Sequence, residues 1–195
     1  IKGLDILRVK PGEKSKSFNV KNSLDEKLLE KKFNRNSLII GFGGGVVGDL
    51  SGYVAATILR GIDLVHIPTS LIAIVDSSIG GKTGINSKNG KNLIGSFYNP
   101  KEILINSEFI NTLSLKEIRQ GLSEIIKYGV IKNEKTFNIL EKSNKVFMQN
   151  HMKNIDKIIK ECIKIKIDTV EKDFKENDLR SILNFGHTIG HALEK

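Results

Sequence analysis

The sequence predicts an α/β protein in two parts: a mostly parallel sheet with covering helices over residues 1–114, and an all-α domain over residues 115–195. Three observations carry this prediction. Short apolar segments alternate with helical patterns in the first part, which is typical of parallel sheets. A glycine cluster follows the first such segment and opens a helix, which makes this domain Rossmann-like. After about residue 115 only helical periodicity remains.

The individual elements follow from apolar periodicity and from the residues that interrupt it. Pro68 ends one apolar run, and either Thr69 or Ser70 caps the helix that follows. The run 80–92 contains four glycines and three lysines and predicts a loop. In chain order we expect a helix over 23–33, a strand over 38–42, a helix over 46–60, a strand over 64–67, a helix over 69–80, the loop, a strand over 102–106, and helices over 114–131, 133–142, 150–172 and 178–195.

Composition narrows the class of protein. Hydrophobic residues make up 39% and charged residues 27% of the 195 positions, as in ordinary globular proteins. No apolar run approaches the roughly 20 residues that span a bilayer, and no secretory pattern is present, so we expect no membrane association. Cys162 is the single cysteine, which fits a reducing, cytoplasmic location.

The net charge of +9 comes largely from lysines spread through helical segments, which indicates a solvated surface. The absence of tryptophan and of basic–aromatic interleaving argues against a nucleic-acid module, although a basic binding module stays a distant alternative. The sequence opens on Ile1 and stops at Lys195 inside a helical pattern, so we expect a piece of a longer protein.

Several groups of residues could carry chemistry. The glycine turn at Gly43, Gly45 and Gly48 has G-x-G-x-x-G spacing and is either a structural turn or a phosphate site. Lys82, Lys88, Lys91 and Asn92 either gather around an anion or belong to a solvated loop. Asp76 ends an apolar helix and either caps the next turn or binds something.

Two helical spacings place candidate residues on shared helix faces. Glu124 and Lys127 lie one turn apart and form either a surface ion pair or part of a cleft. His187 and His191 have the i,i+4 spacing that places two imidazoles on one helix face, for metal binding or for packing. Glu124 with both histidines would supply the three protein ligands of an open catalytic site.

Long stretches of the chain closely resemble the signatures of the 3-dehydroquinate synthase family. They are the segment GGGVVGDLSGYVAATILRGIDLVHIPTSLIAIVDSSIGGKTGINSKNGKNLIGSFYNPK, then RQGLSEIIKYGVI, and then R-x-x-LNFGHTIGHALE, in the family's order. The resemblance implies an NAD-binding α/β domain, an all-helical domain, a metal that is usually zinc or else cobalt, and a homodimer.

The resemblance also implies site residues. Positions matching those that hold NAD are Glu13, Lys16, Gly44, Gly45, Val46, Asp49, Thr69, Ser70, Lys82, Lys91 and Thr112. Positions matching the substrate site are Asp76, Lys82, Asn92, Lys127, Lys166, Glu176, Arg180, Asn184 and His191, with Arg60 contributed across the dimer. Glu124 and His187 match metal ligands. The third family ligand lies beyond Lys195, which removes His191 from the metal set.

Some positions depart from the family pattern. Ser70 replaces a threonine, while Phe174 and Asp178 replace an acidic residue and a glycine before Arg180.

The implied reaction converts 3-deoxy-arabino-heptulosonate 7-phosphate, a phosphorylated sugar acid, to 3-dehydroquinate and phosphate, in the shikimate pathway to aromatic amino acids. The alternatives are another sugar phosphate cyclase, a metal-dependent polyol dehydrogenase, or an inactive fragment that binds metal weakly.

Overall fold

A computed structural model describes residues 4–142 and 155–186. Contacts divide the chain into two compact units. The sheet unit comprises residues 1–68 and 81–104, and the helical unit comprises residues 69–80 and 105–195. Segment 69–80 thus packs with the helices, whereas the sequence grouped it with the sheet. The division into an NAD-binding and a metal-binding domain at 114/115 stays a prediction.

The sheet unit contains the strands of the described residues. They are β1 (Leu38–Gly43), β2 (Asp63–Pro68), β3 (Lys82–Ser87), β4 (Gly90–Phe97) and β5 (Glu102–Ile103). β1, β2 and β5 form a parallel sheet in that order, with Gly41 opposite His66 in the register of the first pair. This agrees with the predicted parallel sheet, except that the last strand is two residues long instead of five.

The prediction of a loop over 80–92 is wrong, because β3 and β4 form an antiparallel hairpin there. The glycines permit close contact between the strands. A Cβ added at Gly84 would lie 2.6 Å from the carbonyl oxygen of Ile94, and one at Gly95 would lie 2.0 Å from that of Thr83. The glycines that suggest a loop from sequence are therefore required by the strand pairing.

Two helices of the sheet unit begin in different ways. Helix α1 (Phe18–Glu30) starts after Ser17, whose side chain accepts a hydrogen bond from the Val20 N–H, so it begins earlier than the predicted 23–33. Helix α2 (Gly45–Thr57) follows the glycine turn directly. The chain then enters a 3-10 turn and leaves the helix three residues before the predicted end at Arg60.

The helical unit contains three long helices among the described residues. Helix α3 (Leu115–Lys132) begins with a capping box between Ser114 and Glu117. Helices α4 (Glu134–Lys142) and α5 (Ile155–Lys172) follow. Segment Ala73–Ser77 is a π-helix, preceded by Ser70, whose hydroxyl accepts from the Ala73 N–H. The part of the predicted helix 178–195 that the structure describes contains a 3-10 helix, Leu179–Asn184.

Each unit has its own apolar core. The sheet unit buries Leu28, Val54, Ala55, Ile58, Ile62 and Leu64. The helical unit buries a larger group that includes Leu71, Ile74, Ile125, Tyr128, Ile158 and Cys162. Gly121 brings α3 close to segment 69–80, since a Cβ there would lie 2.4 Å from the Leu71 side chain. In the part of the chain that is described, no helix combines the length and apolarity needed to cross a bilayer.

Candidate active site

The glycine turn of the sheet unit presents the first turn of α2 without a side-chain cap. Gly44 is the N-cap residue, and its carbonyl accepts from the N–H groups of Val47 and Gly48, both at 3.0 Å. The N–H groups of Gly45 and Val46 precede these donors and have no partner within the helix by the geometry of a first turn. Backbone donors and the positive end of the helix dipole therefore face the same point, which suits a phosphate.

A buried lysine, Lys16, joins three other predicted site residues in the same unit. Lys16 Nζ lies 2.6 Å from Asp49 Oδ2 and 3.8 Å from Glu13 Oε1, and it donates a hydrogen bond to Asn92 Oδ1. Only 4% of the Lys16 side chain is exposed. A lysine this buried requires charged and polar partners, and here the predicted cofactor and substrate residues supply them.

Asn86 was missed by sequence reasoning and completes this cluster. Its Nδ2 donates to Glu13 Oε1 at 2.7 Å, and its Oδ1 accepts from the Asn92 backbone N–H at 2.9 Å. The Asn86 backbone N–H donates to the Lys16 carbonyl at 2.8 Å. The signal in the sequence was a polar amide inside a run read as a loop. Prediction of the β3–β4 hairpin would have drawn attention to it.

The structure also gives the positions of the other residues predicted in the first 114 positions. Lys82 opens β3 and Lys91 lies in β4, both with exposed side chains. Arg60 follows α2 with left-handed backbone at φ 66°. Thr69 and Thr112 belong to the helical unit, where the Thr112 hydroxyl donates to the Phe109 carbonyl at 2.7 Å. The roles of these residues stay predictions.

Asp76 is the centre of a second cluster, in the helical unit. Its Oδ1 accepts hydrogen bonds from Tyr128 at 2.6 Å and from Lys166 at 2.6 Å, and Lys127 Nζ lies 4.0 Å away. The sequence left two interpretations of Asp76, a cap of the next turn or a binding residue. The Asp76 side chain bonds to α3 and α5, so it does not act as a cap. Tyr128 was missed by the sequence reasoning, although a phenol in the apolar run IIKYGVI offered a signal.

Charge and burial fix the protonation states of this cluster. Burial alone would raise the pKa of Asp76, but the charges of Lys166 and Lys127 and the hydrogen bonds from Lys166 and Tyr128 hold it at about 2. Burial raises the pKa of Tyr128 above its ordinary value, and the negative Asp76 adds to this. Burial lowers the pKa of Lys166, opposed by Asp76. At neutral pH Asp76 is thus a carboxylate and Tyr128 a neutral donor.

Glu124 and Lys127 form an ion pair on one face of α3, with 11% and 6% of their side chains exposed. The pair is buried, so the interpretation of Glu124 and Lys127 as an ordinary surface ion pair is wrong. His187 and His191 lie outside the described residues. Within residues 4–142 and 155–186, no three His, Cys, Asp or Glu side chains are placed to hold a metal ion. Of the predicted metal ligands, the described residues therefore include Glu124 alone.

Arg180 is held by backbone carbonyls in the helical unit. Its guanidinium donates to the Phe174 carbonyl at 2.6 Å and to the Gly80 carbonyl at 3.1 Å, and the residue is 2% exposed. Asp173, also missed from sequence, accepts from the backbone N–H groups of Arg180 and Asp178 at 3.0 and 2.8 Å. These and a third backbone bond lower the pKa of Asp173.

Asn184 and Glu176 are directly bonded. The Asn184 amide donates to Glu176 Oε1 at 2.5 Å, and Glu176 has left-handed backbone at φ 58°. Both side chains were predicted for the substrate site. The structure thus brings Asp76, Lys127 and Lys166 into one cluster, and Glu176 and Asn184 into a bonded pair.

Several solved structures with the same fold are sugar phosphate cyclases. A 2-deoxy-scyllo-inosose synthase complexed with carbaglucose-6-phosphate, NAD+ and Co2+ matches with TM-score 0.89 at 30% identity, over 97% of this chain and 52% of that one. A 2-epi-5-epi-valiolone synthase from Streptomyces hygroscopicus subsp. jinggangensis, with NAD+ and Zn2+ bound, matches with TM-score 0.86 at 27% identity, over 92% and 51%. A glycerol dehydrogenase from Schizosaccharomyces pombe, 18% identical with TM-score 0.54, shares the fold alone.

Sequence comparison defines the family. A model described as 3-dehydroquinate synthase N-terminal matches residues 6–120, and one described as 3-dehydroquinate synthase C-terminal matches residues 121–195. Curated 3-dehydroquinate synthases are 51% identical over 189 residues in Dictyoglomus thermophilum and over 193 residues in Clostridium perfringens. The chain belongs to the 3-dehydroquinate synthase family. These two matches include 97% and 98% of this chain. The chain spans about half the length of the relatives, 53% and 54%.

Proposed function

We propose that the protein containing this chain is a 3-dehydroquinate synthase, which converts 3-deoxy-arabino-heptulosonate 7-phosphate to 3-dehydroquinate and phosphate. The observation that carries the proposal is the pairing of the buried Lys166 ammonium with a carboxylate, that of Asp76. A substrate that carries a carboxylate offers the same partner to Lys166. A sugar phosphate without the acid offers Lys166 no such partner.

The sheet unit suits NAD as the cofactor. The uncapped first turn of α2 offers the N–H groups of Gly45 and Val46 to a pyrophosphate, as dinucleotide-binding folds do. Glu13, Lys16 and Asp49 lie together next to Asn92. All three match family positions that hold NAD, which supports the proposal. NAD, when bound, supplies reversible hydride transfer, and the protein holds and orients it.

The carboxylate of Glu124 suits a divalent metal. It is buried and pairs with the Lys127 ammonium, so it is a negatively charged oxygen donor that already faces a cation. A carboxylate with imidazole ligands such as His187 is a donor set for zinc or cobalt. The metal, when bound, supplies Lewis-acid polarisation of a substrate hydroxyl.

The residues of the chain divide the work of substrate binding. The substrate phosphate is held by Lys82, Asn92, Arg180 and His191. In a homodimer, Arg60 of a second copy reaches the site. Lys166 and Asn184 hold the substrate carboxylate. In the structure both donate to acidic side chains, Asp76 and Glu176, at 2.6 and 2.5 Å. The chemistry of these bonds supports the proposal, since each donor already holds a carboxylate.

A second candidate is a cyclase of hexose phosphates, because the structural match includes a synthase complexed with a carbocyclic glucose 6-phosphate analogue. The test uses the full-length protein with NAD+ and Zn2+ or Co2+, and measures phosphate release from the heptulosonate phosphate and from glucose 6-phosphate. We expect release from the first alone. Release from glucose 6-phosphate alone would replace the proposal by the second candidate.

A lysine substitution sharpens this test. We expect Lys166→Met to raise the KM for the heptulosonate phosphate at least tenfold, since hydrogen bonds to charged groups contribute about 1.5–3 kcal/mol. Lys164→Met, two residues away on α5 with an exposed side chain, is the matched control and leaves the KM unchanged. Equal KM values in the two variants would refute the assignment of Lys166 to the substrate carboxylate.

We further propose a cytoplasmic homodimer. The support is the resemblance of Arg60 to an arginine that crosses the family's dimer interface, together with a biosynthetic reaction on small metabolites. Sedimentation of the full-length protein tests the oligomeric state, and a monomer that retains full activity would remove the role of Arg60.

A further inference from the structure

We propose that Asn86 is a positioning residue that holds the cofactor residue Glu13 and the substrate residue Asn92 in one fixed arrangement. The inference rests on the proposed function for the roles of these two neighbours. Its physical basis is the set of four hydrogen bonds and ion pairs that link Glu13, Lys16, Asn86 and Asn92 into a ring.

The local backbone shows why Asn86 can do this. The register of the β3–β4 hairpin shifts between Ile85 and Ser87, so Asn86 of β3 and residues 91–93 of β4 fall outside the ladder. Asn86 forms a bridge with Ser17 instead, and its N–H donates to the Lys16 carbonyl. Bulges redirect a side chain out of the strand pattern and are frequent beside active sites. Here Asn86 lies opposite the bulged part of β4, and its amide bonds both to Glu13 and to the Asn92 N–H.

The chemistry of the two partners fixes the orientation of the amide. Glu13 Oε1 can only accept from Asn86 Nδ2, at 2.7 Å, and the Asn92 N–H can only donate to Asn86 Oδ1, at 2.9 Å. No other common side chain of this length combines one donor and one acceptor in this way. Aspartate keeps the acceptor but loses the donor, and alanine loses both.

The bond to Asn92 matters because that residue has unusual backbone. Its φ of 59° lies in the left-handed region, which costs a non-glycine residue about 1 kcal/mol or more. Two contacts hold it there: the backbone N–H to Asn86, and the side-chain oxygen that accepts from Lys16. Loss of the first contact frees the backbone that presents the Asn92 side chain to the substrate.

The two halves of the amide therefore have separable functions. Loss of the Nδ2 donor alone removes the hydrogen bond to Glu13 and thereby weakens NAD binding. In Asn86→Asp the new carboxylate beside Glu13 adds charge repulsion. Loss of the acceptor affects Asn92 and hence the substrate phosphate. Asn86→Asp changes the first and keeps the second, while Asn86→Ala removes both.

The test uses the full-length protein and three variants: Asn86→Asp, Asn86→Ala and, as control, Asn89→Ala in the exposed tip of the same hairpin. Three quantities are measured: the Kd for NAD+, the KM for the heptulosonate phosphate, and the hydrogen-exchange rate of the Asn92 amide. We expect Asn86→Asp to weaken NAD+ binding about tenfold with the Asn92 amide still protected. Asn86→Ala weakens NAD+ binding by a similar factor, raises the KM about tenfold and exposes the amide.

Exchange and NAD+ binding need no turnover, so they decide the inference even if the protein fails to release phosphate from the heptulosonate phosphate. The inference is overturned if both Asn86 variants match Asn89→Ala in NAD+ affinity and amide exchange. It is also overturned if Asn86→Asp exposes the Asn92 amide as fully as Asn86→Ala, because the two halves of the side chain would then act as one structural unit.

Discussion

The phenol oxygen of Tyr128 lies 2.6 Å from Asp76 Oδ1, and Lys166 Nζ reaches the same oxygen at 2.6 Å. One carboxylate oxygen thus joins the π-helix 73–77 to α3 and to α5. Tyr128 is fully buried, so its hydroxyl has no access to water as an alternative partner. The arrangement fixes the position of Lys166, the residue assigned to the substrate carboxylate.

Removal of the Tyr128 hydroxyl tests this connection. We expect Tyr128→Phe to lower the free energy of unfolding by about 1–3 kcal/mol, because a buried hydrogen bond to a charged group is lost. Urea unfolding of the full-length protein measures the change. Tyr53→Phe, which removes a phenol hydroxyl from the sheet unit, is the control and leaves stability unchanged. Equal stabilities of the two variants would show that the Tyr128–Asp76 bond contributes nothing.

The charge of Asp76 predicts a pH dependence of stability. Its pKa falls from 3.8 to about 2 on folding, so its contribution is present above about pH 4 and is lost as the pH falls toward 2. We expect Asp76→Asn to be less stable than the wild type at pH 6, because the buried Lys166 loses its charged partner and Lys127 loses a nearby negative charge. The difference narrows by about 2 kcal/mol between pH 6 and pH 2.

Unfolding curves of the two proteins at several pH values measure this difference. A gap that stays constant from pH 6 to pH 2 would contradict the assignment, because it would mean that Asp76 titrates equally in the folded and unfolded chains.

Lys16 provides a prediction for cofactor binding. We expect Lys16→Met to weaken NAD+ binding at least tenfold, because it removes the cation that orders Glu13, Asp49 and Asn92. Lys14→Met changes an exposed lysine of the same 3-10 turn and serves as the control. Calorimetric titration with NAD+ compares them, and similar affinities would remove Lys16 from the cofactor site.

Gly80 provides a prediction for Arg180. Gly80 has φ +103°, and a Cβ there would lie 2.4 Å from Arg180 Nη2. Gly12 has φ +100° with nothing within 4 Å of an added Cβ, so it shares the backbone strain but not the contact. We expect Gly80→Ala to reduce the free energy of unfolding by at least about 1 kcal/mol more than Gly12→Ala does. Similar losses would show that Arg180 moves aside without cost.

The elements predicted correctly are those whose signals are local. An apolar run before a glycine cluster predicted β1 and α2, and helical periodicity predicted α3. The β3–β4 hairpin was missed because its glycines serve strand contacts that the sequence does not display. Asn86 and Tyr128 were missed for a related reason. Their roles depend on partners 73 and 52 residues away in the chain.

The structure groups several residues that the resemblance assigns to the site, while their roles stay predictions. Lys16 contacts Glu13, Asp49 and Asn92. Asp76 likewise contacts Lys127 and Lys166. The segment 69–80 carries Thr69, Ser70 and Asp76 into the helical unit, which no local pattern indicated. Packing against Gly121 of α3 explains this, since that glycine admits Leu71 closely.

The most direct measurement of the central claim is the identity of the product. Full-length protein with NAD+ and Zn2+ or Co2+ is incubated with 3-deoxy-arabino-heptulosonate 7-phosphate, and the mixture is followed by NMR alongside free phosphate. The account predicts one equivalent of 3-dehydroquinate per phosphate released, with no net accumulation of NADH. Phosphate release without the carbocyclic acid, or an unchanged substrate in the presence of both cofactors, would contradict it.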